Sequence, residues 1–434
     1  MAVLKPFAAC RYRLDAPHEQ GRFAAPPYDM IDEECADALY ARDPHNAVRI
    51  IQNRARPGDE ANRDRHRRAA ALLNDWLARK VLLRDPSPSL YLYRQRFSID
   101  IAGRTRRYVR TGLCARVQLA AFEEKVIYPH EYTLPKAKRD RYELLEATEC
   151  NTGQIFGLIP DEGSLYDALQ SAPTSDLLGA FCDENGVEHE AYRIDAPERI
   201  AALRELAAPR TILIADGHHR YETALELYRA TGRPEHGCVM MTLVSMADPG
   251  LVIRPFHRLV KSAPSTAPLD ETGAFERFFA VDDLGAASLE TINEYLAGAG
   301  DYDMLYCDRG AARLRGLRCT DAGDAFLRER AEGMSDAWNA LNVSKINRLC
   351  VQGIMGREAD GAALHEMMDF VNDSARAFTR AHNASAYRGC FFIRPIPIDV
   401  VKDIVSRGER MPQKSTNFFP KLYSGLLFNP LDAS

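Results

Sequence analysis

The residues with the most chemical promise are Asp216, Gly217, His218, His219 and Arg220, which follow the compact β-branched run Thr211 to Ala215. A strand that runs straight into a helix leaves the first helical N–H groups without intrahelical partners. Together with the helix dipole they form a seat for an anion. Gly217 lets the backbone approach a ligand closely. His218, His219 and Arg220 add donors and positive charge. Asp216 has three readings: it caps the helix by accepting from the His219 N–H, it holds Mg2+, or it orients a ligand. The plain alternative is a capped helix with exposed polar residues. Two adjacent His and an Arg serve no packing purpose at a helix start, which favours phosphate or another anion. Zinc fits less well, because neighbouring His rarely point at one metal and the His218 to Glu222 spacing alone is weak.

A second group is Pro129-His130-Glu131-Tyr132-Thr133, followed by Lys136, Lys138, Asp140 and Arg141. His130, Glu131 and Thr133 fall in a loop, where exposed polar groups often contact substrate. A carboxylate there acts as general base on a hydroxyl or binds an amine. Spacing alone favours a solvated charged loop leading into a helix. The zinc-protease pattern H-E-x-x-H is absent, since its last position is Leu134. Near the C-terminus, Lys414, Ser415, Thr416 and Lys421 suit phosphate contacts. No G-x-x-x-x-G precedes them, so Walker-type binding has no support. A solvated terminal strand is the alternative. Against it, Phe418, Phe419, Tyr423, Leu426, Leu427 and Phe428 give the tail enough apolar content to dock. Tyr28 and Asp29 follow Pro26-Pro27, a rigid turn that could hold them at a site edge, although a purely structural turn is the simpler reading. His257 and Arg258, after the turn at Asp248-Pro249-Gly250, are equally well read as structural.

These groups need elements to hold them. The spacing predicts helices over Asp32 to Tyr40, Asn62 to Leu83 and Pro197 to Ala207, and one from near Arg139. Strands are expected at Leu90 onward, Tyr108 to Leu119, Gln154 to Pro160, Thr211 to Ala215 and Val239 to Met246. A turn is expected around Asp183, Asn185 and Gly186. The Ser/Ala/Pro-rich run SAPSTAPLD marks a boundary, giving domains 1–263 and 264–434. Helices are expected near Asp283 to Ala297, Ser335 to Leu349 and His365 to Thr379, then a strand GCFFIRP.

The chain has 434 residues, 46% hydrophobic and 27% charged, as a soluble globular protein does. Its 56 Lys+Arg against 61 Asp+Glu, net −5, disfavour nucleic acid or an anionic membrane held by bulk charge. No stretch is long and apolar enough to span a bilayer. The start MAVLKPFAACRYR lacks the apolar core of a secretory signal. Ten Cys are scattered singly with no C-x-x-C pair, as expected of reduced thiols in the cytoplasm.

In order, APPYD, HE-x-T with a following Asp-Arg, ADGHHRYETAL and MPQKST-x-F-x-PK resemble a bacterial family known only as a domain of unknown function. The resemblance runs from Pro6 to the end. The run Lys136-Ala137-Lys138-Arg139 departs from the more acidic stretch expected there. The D-G-H-H-R element is also similar to one in the ParB/sulfiredoxin-like free serine kinases. Those enzymes phosphorylate L-serine with a nucleoside phosphate donor and Mg2+. The resemblance implies an α+β fold: a ParB/sulfiredoxin-like mixed core, a mainly helical C-terminal domain and a tail that returns to the site. It implies a kinase acting on free serine or a related amino acid, with ATP or ADP as donor and Mg2+ as cofactor. Glu131, His219 and Asp216 would be catalytic, with Asp216 also on the metal. Gly217, His218, Arg220, Lys414, Ser415, Thr416 and Lys421 would bind phosphate or nucleotide. His130, Thr133, Tyr28 and Asp29 would bind substrate. The expected partners are a small-molecule substrate, a nucleotide and at most a second copy in a homodimer. A nucleotide-binding switch without turnover is the alternative.

Overall fold

The computed structural model describes all residues except 61–62, 102–103, 132–134, 173–174, 263–272, 299, 309, 311, 332, 360, 384 and 433–434. Thr133 and most of the SAPSTAPLD run therefore lie outside the described residues.

Two sheets organise the chain. The first is mixed and nine-stranded. Its path runs Ile127–Pro129, Ile212–Asp216, Ile155–Ile159, Cys238–Ser245, Arg104–Gln118, Leu90–Ile101, Glu188–Ile194 and Leu177–Cys182, with Leu4–Lys5 paired to Arg104–Gln118. Cys238–Ser245 is buried at every position and Ile155–Ile159 likewise. Their unbroken apolar and β-branched sequences fit a strand covered on both faces. Ile127–Pro129 and Ile212–Asp216 are neighbours and parallel, so their C-terminal ends open on the same side of the sheet.

The helix His218–Thr231 begins directly after the second of these strands. Glycines bound it: Gly217 at φ +91° before it and Gly232 at φ +63° after it. Only residues without a Cβ take such angles cheaply. Pro197–Ala207 has Pro at its first position, where no N–H is needed. The helix expected to reach Leu83 stops at Ala78. Lys80 then turns at φ +58°, and Leu82–Arg84 becomes a strand against Cys10–Tyr12.

The second sheet corrects the expectation of a mainly helical C-terminal part. It has six antiparallel strands, in the order Phe279–Ala286, Arg313–Cys319, Met304–Cys307, Tyr387–Phe392, His257–Lys261 and Met368–Val371. Asp283, read as a helix start, pairs with Arg315, and the helix begins later at Leu289. The span His365 to Thr379 holds a strand as well, because Phe370 and Val371 pair with Arg258 and His257.

One apolar cluster joins the two sheets. Phe156, Leu213 and Val244 of the first pack in it with Val260, Met304 and Phe391 of the second, and the tail adds Met411, Phe418 and Leu422. The tail is thus core, not a solvated terminal strand. Asn417–Phe419 pairs with Val252–Arg254, Ser424 bridges Ala25, Phe428 bridges Cys10, and Asn429–Pro430 pairs with Cys150–Asn151. All ten cysteines are free thiols. Among the described residues, no helix is long and apolar enough to cross a membrane.

Candidate functional site

The parallel strands deliver His130-Glu131 and Asp216-Gly217-His218 side by side. His130 is buried and faces the Ile214 carbonyl through Nδ1 at 2.5 Å. Nδ1 therefore carries a proton, and Nε2 stands 2.9 Å from the Thr416 hydroxyl and 3.5 Å from Glu131 Oε1. The His130 backbone N–H donates to His218 Nε2 at 3.3 Å. That contact assigns the His218 proton to Nδ1. Burial, and after it His130, pull His218 down to about 3, so its ring is neutral at physiological pH.

Glu131 Oε1 accepts from the backbone N–H groups of Ser415 at 3.2 Å and Thr416 at 3.4 Å. Burial pushes the carboxyl up, but the hydrogen bond with His130 and the cations around it outweigh burial and hold it at about 2. Glu131 is thus ionised and weakly basic. It is suited to orient a hydroxyl and to take its proton late rather than in advance.

Asp216 does not cap the helix, correcting one of its readings. Gly217 holds the cap position, with no side-chain cap hydrogen bond. The Asp216 carboxylate instead receives Lys421 Nζ at 2.8 Å and Arg220 Nη2 at 3.1 Å. Burial pushes this carboxyl up, and Lys421 and Arg220 together hold it well below the usual carboxylate range. Both oxygens are committed to cations, so the donor set does not fit Mg2+ held by Asp216. Among the described residues, no group of three or more His, Cys, Asp or Glu could hold a metal.

Arg220 folds back over Gly217, and its Nη1 donates to the Gln154 carbonyl at 2.5 Å. A Cβ on Gly217 would sit 2.9 Å from Arg220 Nη2. Gly217→Ala is therefore expected to cost about 1–2 kcal/mol for the left-handed backbone and to push Arg220 off Asp216. Urea midpoints measure the cost, and an unchanged midpoint would show that the turn tolerates a side chain.

The structure brings Tyr28 and Asp29 to the same end of the sheet. Asp29, Arg220 and Asp216 all act on the Tyr28 hydroxyl, which burial pushes up to about 12. Asp29, Arg220 and Asp216 also act on His219, which burial pulls below its ordinary value. Residues 216–220 are all half-buried, so the helix start is not sealed under other segments.

The tail residues divide. Lys421 reaches Asp216, whereas Lys414, at φ +57°, places Nζ 5.4 Å from the centre of the Phe256 ring and acts on Glu131. The Ser415 hydroxyl turns inward to the Pro412 carbonyl at 2.5 Å, and the Thr416 hydroxyl serves His130. Their hydroxyls are taken up within the fold rather than presented to a phosphate. His257 is buried and accepts from the Ile393 N–H at 3.4 Å. Arg141, grouped with the HE loop in the sequence but given no role there, has its guanidinium stacked 4.0 Å over the Tyr28 ring, where Asp140 and the Ile51 carbonyl hold it. Its one sequence signal was the Asp-Arg pair after the HE loop. Sequence reasoning missed Gln95 and Arg110, which sit on strands, and Gln154, which sits beside one.

A family model described as "Protein of unknown function (DUF1015)" matches residues 4–344. No curated protein matches the chain. Among solved structures, a free serine kinase in complex with AMP is 12% identical, over 71% of this chain and 89% of that chain, at a TM-score of 0.33. C-terminally truncated SbnI from Staphylococcus aureus is 12% identical, over 73% of this chain and 87% of that chain, at a TM-score of 0.37. A conserved hypothetical protein from Pyrococcus furiosus is 13% identical, over 71% of this chain and 93% of that chain, at a TM-score of 0.33.

Proposed function

The chain belongs to the DUF1015 family of proteins of unknown function, and for this member we propose a small-molecule kinase with a ParB/sulfiredoxin-like core. It transfers a phosphoryl group from ATP or ADP to the hydroxyl of free serine or a related amino acid. One observation carries the reading. Two parallel strand ends set an ionised carboxylate, Glu131, beside the half-buried helix start that follows Gly217, a cap position with no side chain of its own. Crevices outside the carboxyl ends of strands are where open α/β sheets bind ligands.

Phosphoryl transfer asks the protein mainly for positioning and charge stabilisation. The Gly217 turn and the first-turn N–H groups cradle phosphate oxygens. Lys421, Arg220 and the His218 Nδ1–H supply positive charge and a donor. The acceptor oxygen attacks phosphorus, the bond to the departing nucleotide breaks, and the hydroxyl proton passes to Glu131. Tyr28, Asp29 and His219 line the side on which the amino acid enters.

A nucleotide-binding switch without turnover is the second reading. It is favoured by Glu131 Oε1, which already serves as an acceptor for tail N–H groups. Purified protein with ATP or ADP, Mg2+ and a panel of amino acids, followed by 31P NMR, separates the two. Phosphoserine or a relative is expected; tight nucleotide binding with no phosphorylated amino acid establishes the switch. In the same assay His219→Ala is expected to lower turnover about 100-fold with an unchanged urea midpoint. Full turnover in that variant would remove His219 from the site.

A further inference from the structure

Arg110 and Arg258 are each 1% exposed. Burial pulls both guanidiniums down to about 10, so they stay charged at neutral pH. Among the described residues neither pairs with a carboxylate; their donors go to carbonyls and an amide. A buried cation with no carboxylate bonded to it is costly; Asp248 and Asp216 act on Arg110, and Glu131 on Arg258, only from beyond hydrogen-bond reach, and the guanidinium hydrogen bonds go to backbone carbonyls and to Gln95. Arg110 Nη1 donates to the Phe419 carbonyl at 3.1 Å, and Nη2 to the Pro420 carbonyl. Its Nε donates to Gln95 Oε1 at 3.1 Å, and Gln95 Nε2 donates to the Lys421 carbonyl at 2.9 Å. Three consecutive tail carbonyls are thus held from one point. The guanidinium lies over the Phe156 ring, 4.6 Å from its centre, and Phe156 is the strand partner of Asp216. At the other end of the run from Lys414 to Lys421, Arg258 Nη2 donates to the Lys414 carbonyl at 3.2 Å.

Lys421 is a long, flexible side chain, and its ammonium reaches Asp216 because its backbone cannot drift. We infer that Arg110 is a positioning residue of the site: with Gln95 it holds the carbonyls of residues 419–421 and so sets the Lys421 ammonium on Asp216. The functional part rests on the reading of that end as a phosphate site. A lysine in its place cannot do the same, because one ammonium does not span two adjacent carbonyls as a rigid fork does. Arg258 anchors the other end, so the octet from Lys414 to Lys421 is stretched between two buried cations.

A double-mutant cycle tests this on the full chain. ADP affinity is measured by calorimetry for the wild type, Arg110→Lys, Lys421→Met and the double variant. Each single change is expected to weaken ADP about tenfold or more, the worth of a hydrogen bond to a charged group. The double variant should bind no worse than Lys421→Met, because Arg110 acts through Lys421. Independent, multiplying losses would overturn the inference. Amide exchange over residues 416–423 without ligand gives a second readout. It should quicken in Arg110→Lys, and protection equal to wild type would also overturn it. If Arg110 variants fail to fold, Gln95→Glu keeps an acceptor for Arg110 but removes the donor to the Lys421 carbonyl, and the same two readouts apply. A wild type that binds no ADP refutes the kinase reading, while the exchange data still decide whether Arg110 holds the tail.

Discussion

Asp216→Ala is expected to lower stability by about 3 kcal/mol, the low end for breaking a buried ion pair by removing one partner. The low end applies because the three groups keep a little solvent: Asp216 is 19% exposed, Lys421 16% and Arg220 18%. The loss is large because one carboxylate serves two cations from different parts of the chain. Without it, Lys421 and Arg220 face each other across a half-buried gap. Asp216→Asn keeps an acceptor and should cost less than Asp216→Ala. Adding Lys421→Met to Asp216→Ala should recover part of the loss by removing one unpaired charge. Urea midpoints at pH 7 read all three variants. A cost below about 1 kcal/mol for Asp216→Ala would show that the pair is solvated and contributes like a surface salt bridge.

Acid should unfold the protein in two stages. His218 and His257 are each pulled down to about 3, mainly by burial. In the unfolded chain they titrate near about 6.5. Between those values the unfolded chain binds protons that the native state refuses. Stability is therefore full above about pH 6.5 and falls as pH drops toward 3. Each histidine contributes a slope of about 1.4 kcal/mol per pH unit, so the pair removes about 5 kcal/mol between pH 6 and pH 4. That is comparable with the whole stability of many domains. The second stage belongs to carboxylates. Glu131 is held at about 2, and Asp216 and Asp140 are also lowered. Their contribution is present above about pH 4 and is lost as pH falls through their folded values. Urea midpoints at pH 7, 6, 5 and 4 measure the first stage, and His257→Gln should remove about half of its slope. Midpoints that stay level from pH 7 to pH 5 would show that neither ring is held neutral by the fold.

The local parts of the site were legible in the sequence. The strand-to-helix junction at Gly217 is marked by a β-branched run, a glycine and a polar helix start, all within a few residues. The apolar residues of the tail indicated that it docks. What stayed hidden depends on partners far away in the chain. Asp216 looked like a helix cap because its nearest N–H groups are local; Lys421, 205 residues on, takes that oxygen instead. The second sheet was missed because short strands such as Met368–Val371 sit between helices with apolar residues at helical spacing. Their pairing is decided by His257–Lys261, more than a hundred residues earlier. Arg110 gave no signal at all. One of five arginines in the strand Arg104–Gln118, it reads as an outward-facing residue until the Phe419 and Pro420 carbonyls appear beside it.

The weaving of the tail into the first sheet has a consequence for biosynthesis. Glu131 and Ser415 are 284 residues apart, and Asp216 and Lys421 are 205 apart. While residues 415–421 are still inside the ribosome, the emerging polypeptide holds both strand ends but lacks Lys421, Ser415 and Thr416. The pocket is therefore finished only once Lys421 has emerged, long after its two strand ends, and until then the nascent polypeptide carries an incomplete cleft.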